Sequence, residues 1–232
     1  MRLYIIRHGD PNYELDTLTP NGRLQAKALA KKLKEEGITK IYSSPLGRAL
    51  ETMSYTADLL EIEPVVLDWT RELSGMDIKS DGFGEFKAWN VPGELVLKRL
   101  PNHENWEDNQ LFDGLDIGPT YKSLIDHSNE FLESLGYRRE ENVYKVLKSN
   151  EERIAVFCHG AFTRTWLSHL LNIPLSIMWA SFWLSPTSVT TLIFEVRSKE
   201  YAAPRCIGFS DTSHLYESGL STSYIGIPAN IY

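Results

Sequence analysis

Apolar positions along the chain fall into two patterns. Residues 2–8 (RLYIIRH) and 153–159 (RIAVFCH) are nearly continuous apolar runs. Such runs suit strands covered on both faces, as in a parallel sheet. Elsewhere apolar residues recur at helical spacing: Leu24, Ala28, Leu29 and Leu33, then Ala49, Leu50, Met53, Ala57 and Leu60. Thr19 stands as the N-cap of the first helix, with Pro20 as its first residue and Gly37 as its stop. Ser44-Pro45 is expected to open the second.

Short strands are expected at 40–43 and 64–67, so the chain begins βαβαβ. That order implies crossover connections and a largely parallel sheet. From 69 to 118 the rhythm is lost among glycines, tryptophans and scattered acids. Long irregular segments of this kind often serve as lids. Helix returns over 119–135, a short helix is expected over 140–148, and another helix over about 161–171. Residues 189–196 and 201–209 read as an antiparallel hairpin, and the tail from Ser210 as irregular. The expectation is a single domain over 1–232. It is a three-layer α/β/α sandwich with a mostly parallel central sheet, 69–118 as an inserted lid, and 210–232 as an irregular tail.

Composition narrows the function. With 42% apolar and 24% charged residues the chain is ordinary for a soluble domain. A net charge of −7 argues against a nucleic-acid partner. No apolar run is long enough for a membrane span, and no leader pattern precedes Arg7. Cys158 and Cys206 form no CxxC pair and read as reduced core residues of a cytoplasmic protein.

The chemistry gathers at the two apolar runs. Each ends in His-Gly, at His8-Gly9 and His159-Gly160. Ligands of open α/β sheets bind beyond the carboxyl ends of strands, so both histidines are expected at one site. Glycine after each lets the backbone turn and approach a ligand. Arg7 precedes His8, and Arg48 lies in the first turn of the second helix, near the same edge. Two guanidiniums offer forked donors for phosphate oxygens. Backbone N–H groups at Gly160 and Ala161, where a helix starts, would add to an anion site. A metal site is disfavoured, because arginines beside the histidines repel a cation.

These residues resemble the histidine phosphatase superfamily, the phosphoglycerate-mutase-like enzymes. Arg7-His8-Gly9 matches its signature triplet. Leu18-Thr19-Pro20-Asn21-Gly22-Arg23-Leu24-Gln25-Ala26 is similar to its Leu-Thr-x-x-Gly-x-x-Gln-Ala helix start. Ser43-Ser44-Pro45-Leu46-Gly47-Arg48-Ala49-Leu50-Glu51-Thr52 resembles its Ser-Ser-x-x-x-Arg-Ala-x-x-Thr segment, and His159-Gly160 its second histidine. The resemblance implies that His8 is the nucleophile and becomes a phosphohistidine. Arg7, Arg48 and a protonated His159 would hold the phosphoryl oxygens, with no metal and no cofactor. An acid after the third strand would protonate the leaving oxygen. Glu72, in Arg71-Glu72-Leu73-Ser74-Gly75, stands where that acid is expected, and Glu85 is its competitor. Asp10 and Pro11 depart from the Glu or Gln and the Thr or Ser frequent after the triplet.

Other residues carry weaker functional readings. His127 and His169 are expected in or near the core, His103 in the insertion, and His214 in a tail that can fold back over the site. Trp89, Trp106, Trp166, Trp179 and Trp183 are expected to pack. Lys79 and Lys87 lie within reach of an anionic substrate in the lid. The favoured activity is phosphomonoester hydrolysis of a small phosphorylated substrate. A phosphoprotein substrate is left open, as is the oligomeric state. The alternatives are a phosphoglycerate mutase and a non-catalytic phospho-ligand binder. The mutase is disfavoured because 71–75 lacks the extra basic residues that would grip a carboxylate.

Overall fold

The computed structural model describes residues 1–103 and 105–227. An eight-stranded sheet runs through the chain. Its strands are β1 (Arg2–Arg7), β2 (Lys40–Ser43), β3 (Val65–Val66), β4 (Tyr137–Glu140), β5 (Val143–Val146), β6 (Arg153–Cys158), β7 (Val189–Val196) and β8 (Tyr201–Asp211). The spatial order is β3-β2-β6-β1-β7-β8-β5-β4. The β3-β2-β6-β1 half pairs in parallel and the other half antiparallel, so all strands but β5 and β7 run in the direction of β1. The sheet is mixed and mostly parallel in direction, as expected.

Helices cover both faces: α1 (Pro20–Glu36), α2 (Gly47–Leu60), α3 (Ile117–Ser134), α4 (Gly160–Leu171), α5 (Leu175–Ser181) and α6 (Ser213–Glu217). The pleat divides β1 and β6 between two cores. Leu3, Ile5, Ile154, Val156 and Cys158 pack with Leu124, Phe131, Phe162 and Trp166 of α3 and α4. Tyr4, Ile6, Ala155 and Phe157 pack with Leu29, Leu33 and Met53 of α1 and α2. This two-sided burial is why both strands read as continuous apolar runs. The Thr19 hydroxyl caps α1 by accepting from the Gly22 N–H at 3.0 Å, and Gly37 ends it in the left-handed region. Leu24, expected on the buried side, is exposed.

Three local expectations are corrected. Residues 140–148 are not helical: Tyr137–Glu140 and Val143–Val146 form a hairpin, with Glu141 in a left-handed turn. The tail is not wholly irregular: β8 runs to Asp211 and α6 follows, while 228–232 lie outside the described residues. The second helix starts at Gly47 rather than at Ser44-Pro45, because the Gly47 N–H donates to the Asp16 carboxylate at 2.6 Å. The segment from Met76 to Ile117 contributes to a separate small core. Met76, Ile78, Val91, Trp106 and Phe112 pack against Leu175 and Trp179 of α5. Among the described residues no helix is long and apolar enough to cross a membrane.

Candidate active site

Strand register brings the histidines together. Arg7 of β1 pairs with Cys158 of β6, so the next residues, His8 and His159, leave the sheet side by side. Their ring centroids lie 5.2 Å apart. Arg48, one residue into α2, points its Nε at His8 Nε2 at 3.3 Å. The expected convergence of these elements is therefore present. Gly9 permits a close approach: a Cβ there would stand 2.9 Å from the Gly22 carbonyl oxygen, so the partner approached is α1 rather than a ligand. At Gly160 a Cβ would press on the Arg7 guanidinium at 3.3 Å.

The two rings are held differently. His8 Nδ1 lies 2.8 Å from the Gly9 carbonyl oxygen, which can only accept, so the proton sits on Nδ1. Nε2 is left with its lone pair. Burial, then the charge of Arg7 and further that of Arg48, holds the His8 pKa well below its ordinary value. His8 is therefore neutral at pH 7, as a nucleophile must be. His159 Nε2 lies 2.7 Å from the Ser44 hydroxyl. With Ser44 donating, the His159 proton sits on Nδ1, a buried atom with no partner among the described residues. Burial, then His8, Arg48 and Arg7, holds the His159 pKa well below its ordinary value too. In the free protein these influences favour the neutral form of His159. Arg7 leaves its Nε buried without a partner among the described residues, while its terminal nitrogen donates to the Leu184 carbonyl. Two buried nitrogens without partners among the described residues thus lie close together.

Asp16 is a part of this site that sequence reading missed. Its carboxylate takes Arg48 Nη1 and the Gly47 N–H, fixing the guanidinium over His8. Burial pushes its pKa up, but the bonds from Gly47 and Arg48 outweigh this and lower it. The Tyr13 ring stands edge-on to His8 at 6.4 Å and beneath the Arg48 guanidinium at 5.5 Å. Beneath this cover His8 is only 1% exposed. Asp16 adopts a left-handed backbone conformation in a loop, and no periodicity announces such a contact.

Glu72 lies at the start of α4. Its carboxylate accepts from the N–H groups of Phe162 at 2.8 Å, Ala161 at 3.2 Å and Leu73 at 3.1 Å. Of the two helix-start amides expected to hold an anion, that of Ala161 is already taken by Glu72. The competitor Glu85 lies on a two-stranded ladder (Asp77–Ser80 with Gly84–Lys87), 76% exposed and paired with Lys79. Neither Glu85 nor Lys79 reaches the site.

A cavity of about 190 Å³ opens beside Arg7 and Gly160. Glu72, Tyr13, Lys87, Trp89, Arg164 and Trp183 share its wall. Trp89 and Trp183 therefore do more than pack, whereas Trp106, Trp166 and Trp179 are buried. Arg164 is tied to the Gly160, Trp179 and Phe182 carbonyls. Burial, offset by Glu72, lowers its pKa to about 10.

The remaining histidines lie elsewhere. His103 meets the Asn172 carbonyl at the far end of α4. His169 is buried against Asn129, as expected, whereas His127 is exposed on α3 and stacks on Trp69. His214 is buried and bonds Thr187, whose N–H donates to the His8 carbonyl, so the tail does fold back. Among the described residues no cluster of three or more His, Cys, Asp or Glu is placed to hold a metal.

Comparison with known proteins agrees with this geometry. The profile of the "Histidine phosphatase superfamily (branch 1)" matches residues 3–205. A candidate phosphoserine phosphatase of Hydrogenobacter thermophilus is 27% identical over 191 residues, covering 77% of this chain and 82% of its own. A Serratia proteamaculans protein assigned as the phosphoglycerate mutase GpmB is 24% identical over 184 residues, covering 75% of this chain and 76% of its own. Among solved structures, the Entamoeba histolytica phosphoserine phosphatase in complex with phosphoserine superposes with a TM-score of 0.61 at 25% identity. The match covers 92% of this chain and 98% of that one.

Proposed function

The chain belongs to the histidine phosphatase superfamily, and from that premise we propose that it is a metal-independent phosphomonoesterase working through a phosphohistidine on His8. The observation that carries the proposal is the pairing at His8. The Gly9 carbonyl accepts from Nδ1–H, and Arg48 faces the Nε2 lone pair that would attack phosphorus.

The residues then have these roles. Arg7 Nε, Arg48 and His159 Nδ1–H hold the phosphoryl oxygens and spread their charge, which is most of what phosphoryl transfer requires. His8 Nε2 bonds to phosphorus as the ester P–O bond breaks. Glu72 in its protonated form gives its proton to the leaving oxygen. Water then attacks the phosphohistidine, Glu72 takes back a proton, and the P–N bond breaks. A bound phosphate dianion favours the protonated form of His159, so that ring gains charge only with substrate present.

The substrate read from the cavity is a small phosphomonoester. Its volume of about 190 Å³ is below the ~300–1,000 Å³ of pockets for drug-sized ligands. Phosphoserine and 3-phosphoglycerate belong first in a substrate panel, since E. histolytica phosphoserine phosphatase has been solved with each. The test is release of inorganic phosphate from that panel and from p-nitrophenyl phosphate, in EDTA, at pH 4 to 8. Turnover with the chelator present is expected. No turnover by a folded protein would leave a phospho-ligand binder. Conversion of 3-phosphoglycerate to 2-phosphoglycerate, with primed cofactor and without free phosphate, would make it a mutase instead. The cell compartment proposed is the cytoplasm.

A further inference from the structure

The segment after α6 returns to the active site. Ser223 is clasped from two sides: its hydroxyl donates to Asp10 Oδ1 at 3.3 Å, and its carbonyl accepts from the Ser185 hydroxyl at 3.2 Å. Asp10 is itself anchored, because its other oxygen accepts from the Thr19 hydroxyl at 2.9 Å and its N–H donates to Gln25 at 2.9 Å. Beyond the clasp, Tyr224 stacks on Trp183 with centroids 5.8 Å apart and planes 20° from parallel. A turn follows, with the Ile227 N–H on the Tyr224 carbonyl and Gly226 at φ 96°. This turn sets Ile225 and Gly226 into the wall of the cavity that Arg7 and Glu72 also line.

We propose that Tyr224 and Ile225 determine specificity by limiting the size of the leaving group. The inference rests on the phosphatase reading and deepens it. Phosphate-holding groups come from strand ends and α2, so a phosphate alone makes no use of this wall. The rest of a phosphate ester lies beside Glu72, where the protonated oxygen leaves, and Glu72 shares the cavity with Ile225. The apolar wall there is Ile225, Leu184, Trp89 and Trp183, with Asn90, Lys87, Arg164 and Tyr13 among its polar neighbours. Such a wall admits a compact alcohol and excludes a fused aromatic one. In this arrangement Asp10 holds the wall in place through the Ser223 hydroxyl.

The experiment uses the full chain carrying His8→Ala, so that esters bind without turnover. Affinities for inorganic phosphate, phosphoserine and 1-naphthyl phosphate are measured by calorimetry, with and without Ile225→Ala, Ile225→Trp or Tyr224→Ala. Opening the wall with Ile225→Ala or Tyr224→Ala is expected to tighten 1-naphthyl phosphate about tenfold relative to inorganic phosphate. Ile225→Trp is expected to weaken phosphoserine about tenfold relative to inorganic phosphate. Equal changes for all three ligands, or none, would overturn the inference. Because binding is the readout, failure of the wall is distinct from failure of catalysis, which turnover by the chain with His8 intact reports separately.

Discussion

The two strand ends that carry the histidines begin alike and diverge at once. After β1 the chain enters a loop, and His8 turns its Nδ1–H onto the neighbouring Gly9 carbonyl. After β6 the chain enters α4, and His159 turns Nε2 onto Ser44 from the β2 end. The first arrangement leaves Nε2 beside an arginine; the second leaves Nδ1 without a partner among the described residues. One sequence pattern thus yields two rings, 5.2 Å apart, that bond through different nitrogens. Identity of residue and register fixes where each ring stands. The partner of the other nitrogen fixes what the ring can do.

The strongest way to break this comparison is to remove each ring in turn. His8→Ala is expected to abolish turnover, by roughly 10⁴-fold or more, with an unchanged circular dichroism spectrum. His159→Ala is expected to cost less, about 10²–10³-fold, the scale of losing one donor to a developing charge. Equal losses would mean that the rings share one role. Glu72→Gln sharpens the assignment of the proton. Alkyl phosphates are expected to slow by about 10²–10⁴-fold and p-nitrophenyl phosphate far less, because its leaving group needs no proton. An equal effect on both ester types would remove Glu72 as the acid.

A pH titration of stability examines burial rather than chemistry. His8 and His159 are held well below 6.5, and His169 and His214 at about 4, in each case first by burial. The unfolded chain therefore binds more protons than the folded one in that window. Stability is expected to be full above pH 6.5 and to fall as pH drops toward 4, read as a falling Tm. His214→Gln is expected to flatten that fall. A Tm independent of pH over this range would contradict the burial. The smallest expected effect is Ser44→Ala, which frees His159 Nε2. A change in kcat/KM of about 1 kcal/mol, roughly fivefold, matches one hydrogen bond.

The same contrast explains how much was legible beforehand. β1 and β6 announce themselves because two cores bury both faces of each. His8, His159, Arg7 and Arg48 followed from that, since parallel register decides where strand ends lie. The 137–146 hairpin was hidden because Val143 and Val146 also satisfy a helical spacing, and only the left-handed Glu141 turn reverses the chain. Asp16, Tyr13 and the Ser223 clasp come from loops, where contact depends on tertiary placement rather than on period. Ser44 was visible as part of a motif, but its bond to His159 was not. Glu72 was placed by resemblance, and its hold on the α4 amides appears only once β3 and β6 share a sheet.

The most direct test is to quench turnover of a ³²P-labelled ester and map the label. The account predicts an acid-labile, alkali-stable phosphoryl group on Nε2 of His8. Label on His159 or on a serine, or steady turnover with no phosphoenzyme at any quench time, would contradict it.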